Sequence, residues 1–200
     1  MGELSRVYNY DRFDEEYFED LYERKIYLQD EIDNNTISPI VRLILRYNAE
    51  DRDIDVKDRT PILLYVTSVG GSVIDGFSLI DVIEQSKTPI YTVNLAYQYS
   101  MGFLIGIAGH KRFAMPNATF LLHDGQNFVW DSSAKVRDQL EFQSARENKI
   151  KEYVLNHSKI SEDVYDKNYR VEWYTYADEA KDLGFTDYII GEDCPIDSII

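Results

Sequence analysis

The chain has 200 residues and a mass of 23.4 kDa, enough for one domain with a sizeable core. Its 44% hydrophobic and 28% charged residues are the composition of a folded chain, not of a disordered one. A net charge of −15, from 21 basic and 36 acidic residues, argues against nucleic-acid and anionic-membrane surfaces, since both need a basic footprint.

Residues 1–24 are rich in acids and tyrosines (Tyr8, Tyr10, Tyr17, Tyr22) and are expected to form an acidic arm, with a helical turn near Glu15–Glu23. The opening Met-Gly-Glu-Leu-Ser-Arg lacks the apolar region of a signal peptide, which points to the cytoplasm. Lys25–Leu28 is a strand candidate. Ser38 and Pro39 suggest a helix start, with Ile40, Leu43, Ile44 and Tyr47 recurring at helical spacing. The charged stretch 48–60 is expected to be a loop.

The run Pro61–Val66 is apolar at successive positions, as in a parallel strand buried on both faces. It ends in Gly70-Gly71, and a helical pattern follows through Val73, Phe77, Ile80 and Ile83. The unit then repeats: strand Ile90–Leu95, turn Ala96–Ser100, and an almost wholly apolar helix Met101–Ala108 that must be buried. A further strand, Thr119–Leu122, ends at His123. Ser133–Asn156 reads as one long charged helix whose thin apolar stripe (Val136, Leu140, Ile150, Val154) suits projection from the body or a subunit boundary. Thr175–Leu183 is a last helix started by Thr175 and Asp178 and stopped by Gly184, before strand Asp187–Ile190. Alternating strands and helices without a linker predict a single α/β domain.

Chemistry in such sheets gathers beyond the carboxyl ends of the strands. Gly70-Gly71 allows close backbone approach there, but GxGxxG and GxxxxGK[ST] are both absent. Ser100 stands at the mouth of the apolar helix with Gly102 behind it, half of a nucleophile-elbow pattern. A serine needs a base, and imidazole titrates near pH ~6.5. Of His110, His123 and His157, His123 at its strand end is the best placed, while the other two are expected to be structural. Cys194 stands alone, and the histidines show no metal-ligand spacing, so neither a disulfide nor a transition-metal site is expected.

In order, Ser68-Val-Gly-Gly-Ser-Val73, Tyr99-Ser-Met-Gly102, Lys111-Arg-Phe-Ala-Met-Pro-Asn117, Leu122-His123, Ala177-Asp-Glu-Ala180 and Gly184 resemble ClpP, the proteolytic subunit of the ATP-dependent Clp protease. The likeness runs over roughly residues 20–190. It implies the ClpP/crotonase-like fold of repeated ββα units, with the region about 125–157 as a projecting handle helix on a domain spanning 25–200. It also implies a serine endopeptidase that cleaves unfolded polypeptides inside a homo-oligomer of stacked seven-membered rings. An ATP-dependent Clp unfoldase would feed it, and no cofactor is needed. Ser100 would be the nucleophile, His123 the base, and the N–H groups of Gly71 and Met101 the oxyanion hole. Glu172 falls where the family has Asp, with Asp166 as a backup orienter of the imidazole.

Departures from the family pattern bear on activity. Val69 replaces a proline, Tyr97-Gln98-Tyr99 replace small residues and would crowd or reshape the site, and Asp124-Gly125 replace Gln-Pro. Tyr99 beside the nucleophile and Glu172 in place of Asp leave open a catalytically weak or inactive ring subunit. An acyl-CoA enzyme of the crotonase fold is a further alternative, although it would not need Ser100 and His123 together and is usually longer.

Overall fold

The computed structural model describes residues 12–125 and 132–200. Residues 1–11 of the expected arm and 126–131 of the expected handle region lie outside them. The described elements are α1 (Arg12–Tyr22), β1 (Lys25–Leu28), α2 (Asn34–Glu50), β2 (Ile62–Val66), α3 (Val73–Gln85), β3 (Ile90–Asn94), β4 (Tyr97–Tyr99), α4 (Met101–Ile107), β5 (Lys111–Ala114), β6 (Thr119–Leu122), α5 (Ser133–Asn156), α6 (Glu162–Asn168), β7 (Trp173–Tyr176), α7 (Ala177–Asp182) and β8 (Tyr188–Ile189).

β1, β2, β3, β5 and β8 lie side by side in that order as a parallel sheet. All five residues of β2 are buried. Ile62, Leu64 and Val66 join the main core beneath α2, α3 and α4, whereas Leu63 and Tyr65 join a smaller cluster with Val93, Phe113 and Ile199 on the other face. A strand with two buried faces has no use for alternation, which is why its sequence is one apolar run.

A second, smaller sheet orders β4-β6-β7, with β4 and β6 parallel and β7 antiparallel to β6. Two isolated parallel bridges, Ile32–Gly71 and Ser68–Gln98, carry the same layer across the earlier units. The chain therefore repeats one device: a strand in the large sheet, a short pairing in the second layer, then a helix. This is the α/β class that the alternation of strands and helices predicts, with the repeated ββα units that the family resemblance implies.

Several boundaries move. α2 begins at Asn34, not at Ser38, because Asp33 and Thr36 form a reciprocal capping box: the Thr36 N–H donates to Asp33 Oδ1 at 2.8 Å and the Asp33 N–H to Thr36 Oγ1 at 3.0 Å. Pro39 thus sits inside the helix, where burial of Ile37, Ile40, Ile44 and Tyr47 outweighs its missing hydrogen bond. The expected turn Ala96–Ser100 contains β4, since pairing with β6 draws Tyr97–Tyr99 into a strand. The expected loop 48–60 continues α2 to Glu50 and holds a short 3-10 turn, Val56–Asp58. Thr175 is not a helix cap but a buried residue of β7, and α7 starts at Ala177.

α5 matches its expected bounds. Leu140 is 51% and Phe142 65% exposed, while Tyr153 and Val154 near its end are buried. The Tyr153 hydroxyl donates to the Leu104 carbonyl at 3.0 Å. Arg112 closes the junction, donating to the carbonyls of His157 (2.6 Å) and Gly184 (2.7 Å) while it pairs with Asp187. The helix is thus rooted at its end and exposed along its first turns. No helix among the described residues is long and apolar enough to cross a membrane.

Candidate active site

Ser100 joins β4 to α4. Its N–H donates to the Leu121 carbonyl at 2.9 Å, which seats it beside the end of β6. It takes φ +54° and ψ −121°, a conformation that costs a non-glycine residue about 1–3 kcal/mol and concentrates at functional sites. Its side chain makes no capping bond to α4, so the hydroxyl is not consumed by the helix start it occupies.

Gly70 and Gly71 bring the preceding unit against this turn. A Cβ on Gly70 (φ +104°) would lie 2.7 Å from Ser100 Cβ and 3.1 Å from the Met101 nitrogen, so only glycine permits the approach. Around Gly71 (φ +145°) the bridge to Ile32 is made by its neighbours: Ile32 N–H donates to Gly70 O at 2.8 Å, and Ser72 N–H to Ile32 O at 2.6 Å. In a parallel ladder the bridging residue's own N–H faces the opposite edge. On that edge Ser68 pairs with β4. Met101 opens α4, so its N–H has no partner within the helix.

His123 and Glu172 extend the β6–β7 register, in which Leu122 faces Trp173, by one residue. His123 Nδ1 lies 2.9 Å from Glu172 Oε1. With Nδ1–H donated to the carboxylate, Nε2 keeps its lone pair for a proton. Ser100, Met101, Leu104, His123, Ile150 and Tyr169 share the wall of a cavity of about 70 Å³. Within it, Ser100 Oγ and His123 are not joined by a hydrogen bond. α5 supplies part of the wall through Arg146, Glu147 and Ile150.

Asp166 does not take the place of Glu172: it pairs with Lys151 at 2.7 Å, away from the imidazole. The other histidines are structurally engaged. His110 Nδ1 accepts from the Ile90 N–H at 3.0 Å, and His157 sits 3.0 Å from Glu84 and 2.8 Å from the Tyr153 carbonyl. The bulky residues before Ser100 do not fill its cavity. Gln98 is buried against Gly106, where a Cβ would meet its Oε1 at 2.0 Å, and Tyr99 turns to the outer face of the small sheet. Tyr174, unremarked in the sequence, reaches Glu172 Oε2 at 3.3 Å. Its place two residues after Glu172, on one face of a strand, is the period-2 signal that could have marked it.

Among the described residues no group of three or more His, Cys, Asp or Glu side chains is placed to hold a metal ion. The arrangement therefore offers an alcohol, a carboxylate-held imidazole and backbone amides around one cavity, the parts from which acyl transfer is built.

Comparison with known proteins agrees with this chemistry. The family model described as Clp protease matches residues 10–193. The chain is 31% identical over 173 residues to the ATP-dependent Clp protease proteolytic subunit 2 of Corynebacterium glutamicum, covering 85% of this chain and 83% of that protein. It is 29% identical to proteolytic subunit 1 of Streptomyces avermitilis (85% and 76% covered) and of Frankia casuarinae (89% and 82% covered). A repeated strand–pairing–helix fold, the ordered glycine, serine and histidine motifs, and matches spanning most of both partners lead to one conclusion: this chain belongs to the Clp protease family.

Proposed function

We propose that the chain is a serine-type endopeptidase in which Ser100 is the nucleophile, His123 the general base and then acid, and Glu172 the orienter of the imidazole. The observation that carries this reading is the 2.9 Å His123–Glu172 contact on the wall of the cavity that Ser100 also lines. His123 Nε2 removes the Ser100 proton as Oγ attacks the scissile carbonyl. The tetrahedral oxyanion is met by the N–H groups of Gly71 and Met101, and His123 returns the proton to the leaving amine. Water then enters by the same base and hydrolyses the acyl-enzyme.

A fluorophosphonate tests this directly. The intact assembled protein should gain one phosphonyl group, located on the peptide carrying Ser100 by mass spectrometry. An assembled protein that remains unlabelled overturns the reading. The oxyanion donors have their own test. A Cβ at Gly71 would stand 2.3 Å from the Ile32 carbonyl oxygen at φ +145°, so Gly71→Ala displaces the turn and its N–H. Hydrolysis should fall by about 10²–10³-fold, measured as kcat alongside circular dichroism.

Residues 25–200 act in this proposal as one peptidase domain behind an acidic arm, 1–24, with α5 as the handle. The names of the relatives, ATP-dependent Clp protease proteolytic subunits, support an ATP-driven partner and a multi-subunit assembly; in this proposal the partner is a Clp unfoldase and the assembly is a homo-oligomer of stacked seven-membered rings. Unfolded polypeptides would be cleaved within that chamber, in the cytoplasm. One observation favours a second reading, a catalytically weak structural ring member: no hydrogen bond joins Ser100 Oγ to His123 in the isolated chain. Comparing hydrolysis by the assembled protein and its Ser100→Ala variant separates the two.

A further inference from the structure

Glu172 carries its carboxylate on a flexible side chain that is 59% exposed. Water competes for such a group, and ordering several rotatable bonds costs entropy, so the bond to His123 is a weak hold by itself. The strand supplies a second hold. Tyr174 lies two residues on, on the same face, and its hydroxyl donates to Glu172 Oε2 at 3.3 Å while Oε1 faces His123 Nδ1 at 2.9 Å. Tyr174 is fixed in turn. Its ring meets Tyr99 edge-on, with centroids 5.6 Å apart and planes at 86°. The Tyr99 hydroxyl is bonded to Thr119 Oγ1 at 2.9 Å. The residue before the nucleophile and the residue two beyond the acid thus brace one another.

We propose that Tyr174 is a positioning residue for the reaction: braced by Tyr99, its hydroxyl clamps one oxygen of Glu172 so that the other stays on His123. This rests on the reading that Glu172 orients His123 for Ser100. It gives a common cause to two departures from the family pattern. The bulky Tyr99 is the wall against which Tyr174 stands, and the glutamate is long enough to be held from both sides. Desolvation and then the Glu172 carboxylate keep the Tyr174 phenol above its ordinary pKa, so it remains a donor.

The test uses the assembled protein and the variants Tyr174→Phe, Glu172→Asp and their combination. Phenylalanine keeps the ring contact and removes the hydroxyl alone. Tyr174→Phe should lower kcat about two- to tenfold, the worth of one hydrogen bond, with KM unchanged. In the Glu172→Asp background, where the shorter side chain no longer reaches Tyr174, it should add nothing. A second readout does not need turnover: the low-field Nδ1–H proton of His123 in protein labelled with ¹⁵N-histidine, assigned by its loss in His123→Gln. Tyr174→Phe should weaken that signal, and should leave it unaltered in the Glu172→Asp background. Unchanged kcat and an unchanged signal overturn the proposal, as does an equal loss in both backgrounds, which would mark Tyr174 as packing only. If hydrolysis proves independent of Ser100 while the signal still responds, the clamp stands and the peptidase reading falls.

Discussion

Ser100→Ala should reduce peptide hydrolysis by about 10⁶-fold, the scale on which serine hydrolases lose kcat without their nucleophile. The fold should not notice. The Ser100 hydroxyl makes no cap bond to α4, and alanine accepts φ +54° at the same cost as serine, so stability should stay within about 0.5 kcal/mol. Whatever turnover remains would come from bound substrate, the amides of Gly71 and Met101, and water activated by His123. The measurement is steady-state hydrolysis of a fluorogenic peptide by the two assembled proteins at equal subunit concentration, with thermal melts run in parallel. Equal rates would leave the protein a subunit without a working nucleophile.

The largest expected effect on stability falls at Asp51. This residue ends α2, is 1% exposed, and accepts both arms of the Arg24 guanidinium at 2.6 Å. The Thr88 hydroxyl donates to the same carboxylate at 2.8 Å. Arg24 takes φ +61° in the turn that closes α1, where its N–H donates to the Leu21 carbonyl, and the pair ties the start of β1 to the end of α2. Removing one member of a buried ion pair leaves the other uncompensated, at about 3–5 kcal/mol. Arg24 keeps 15% side-chain exposure, which places Asp51→Ala near the lower bound, about 3 kcal/mol, or a fall in Tm of roughly 6–12 °C for a chain of this size.

The same pair sets an acid limit. The Arg24 guanidinium holds the Asp51 carboxyl below its ordinary value of 3.8, against the opposing push of burial and with help from Thr88. A depressed carboxyl pKa stabilises the fold above the unfolded value and loses that contribution as pH falls through the folded one. The stability gap between wild type and Asp51→Asn should therefore be constant near neutrality and shrink below about pH 4. Denaturant midpoints taken across that range would show it, and a gap that widens on acidification would contradict it.

Local order alone determined much of this protein. The unbroken apolar run Ile62–Val66 announced a strand buried on two faces, the glycine pair a close turn, and the all-apolar Met101–Ile107 a helix that could only be internal. In each case the burial pattern is written in consecutive residues. The spaced motifs also made Ser100 and His123 the residues to watch. What stayed hidden depends on partners distant along the chain. Tyr97–Tyr99 became a strand because β6 lies beside it, and Asp33 took the helix start from Ser38 through its bonds with Thr36. Glu172 and Asp166 were both eligible acids until β7 paired with β6, placing one against the imidazole and leaving the other with Lys151. Tyr174 gained its role the same way. Hydrophobic spacing specifies which face of an element is buried, but side chains with several rotatable bonds find their polar partners only once register and layer packing have fixed the distances between strands.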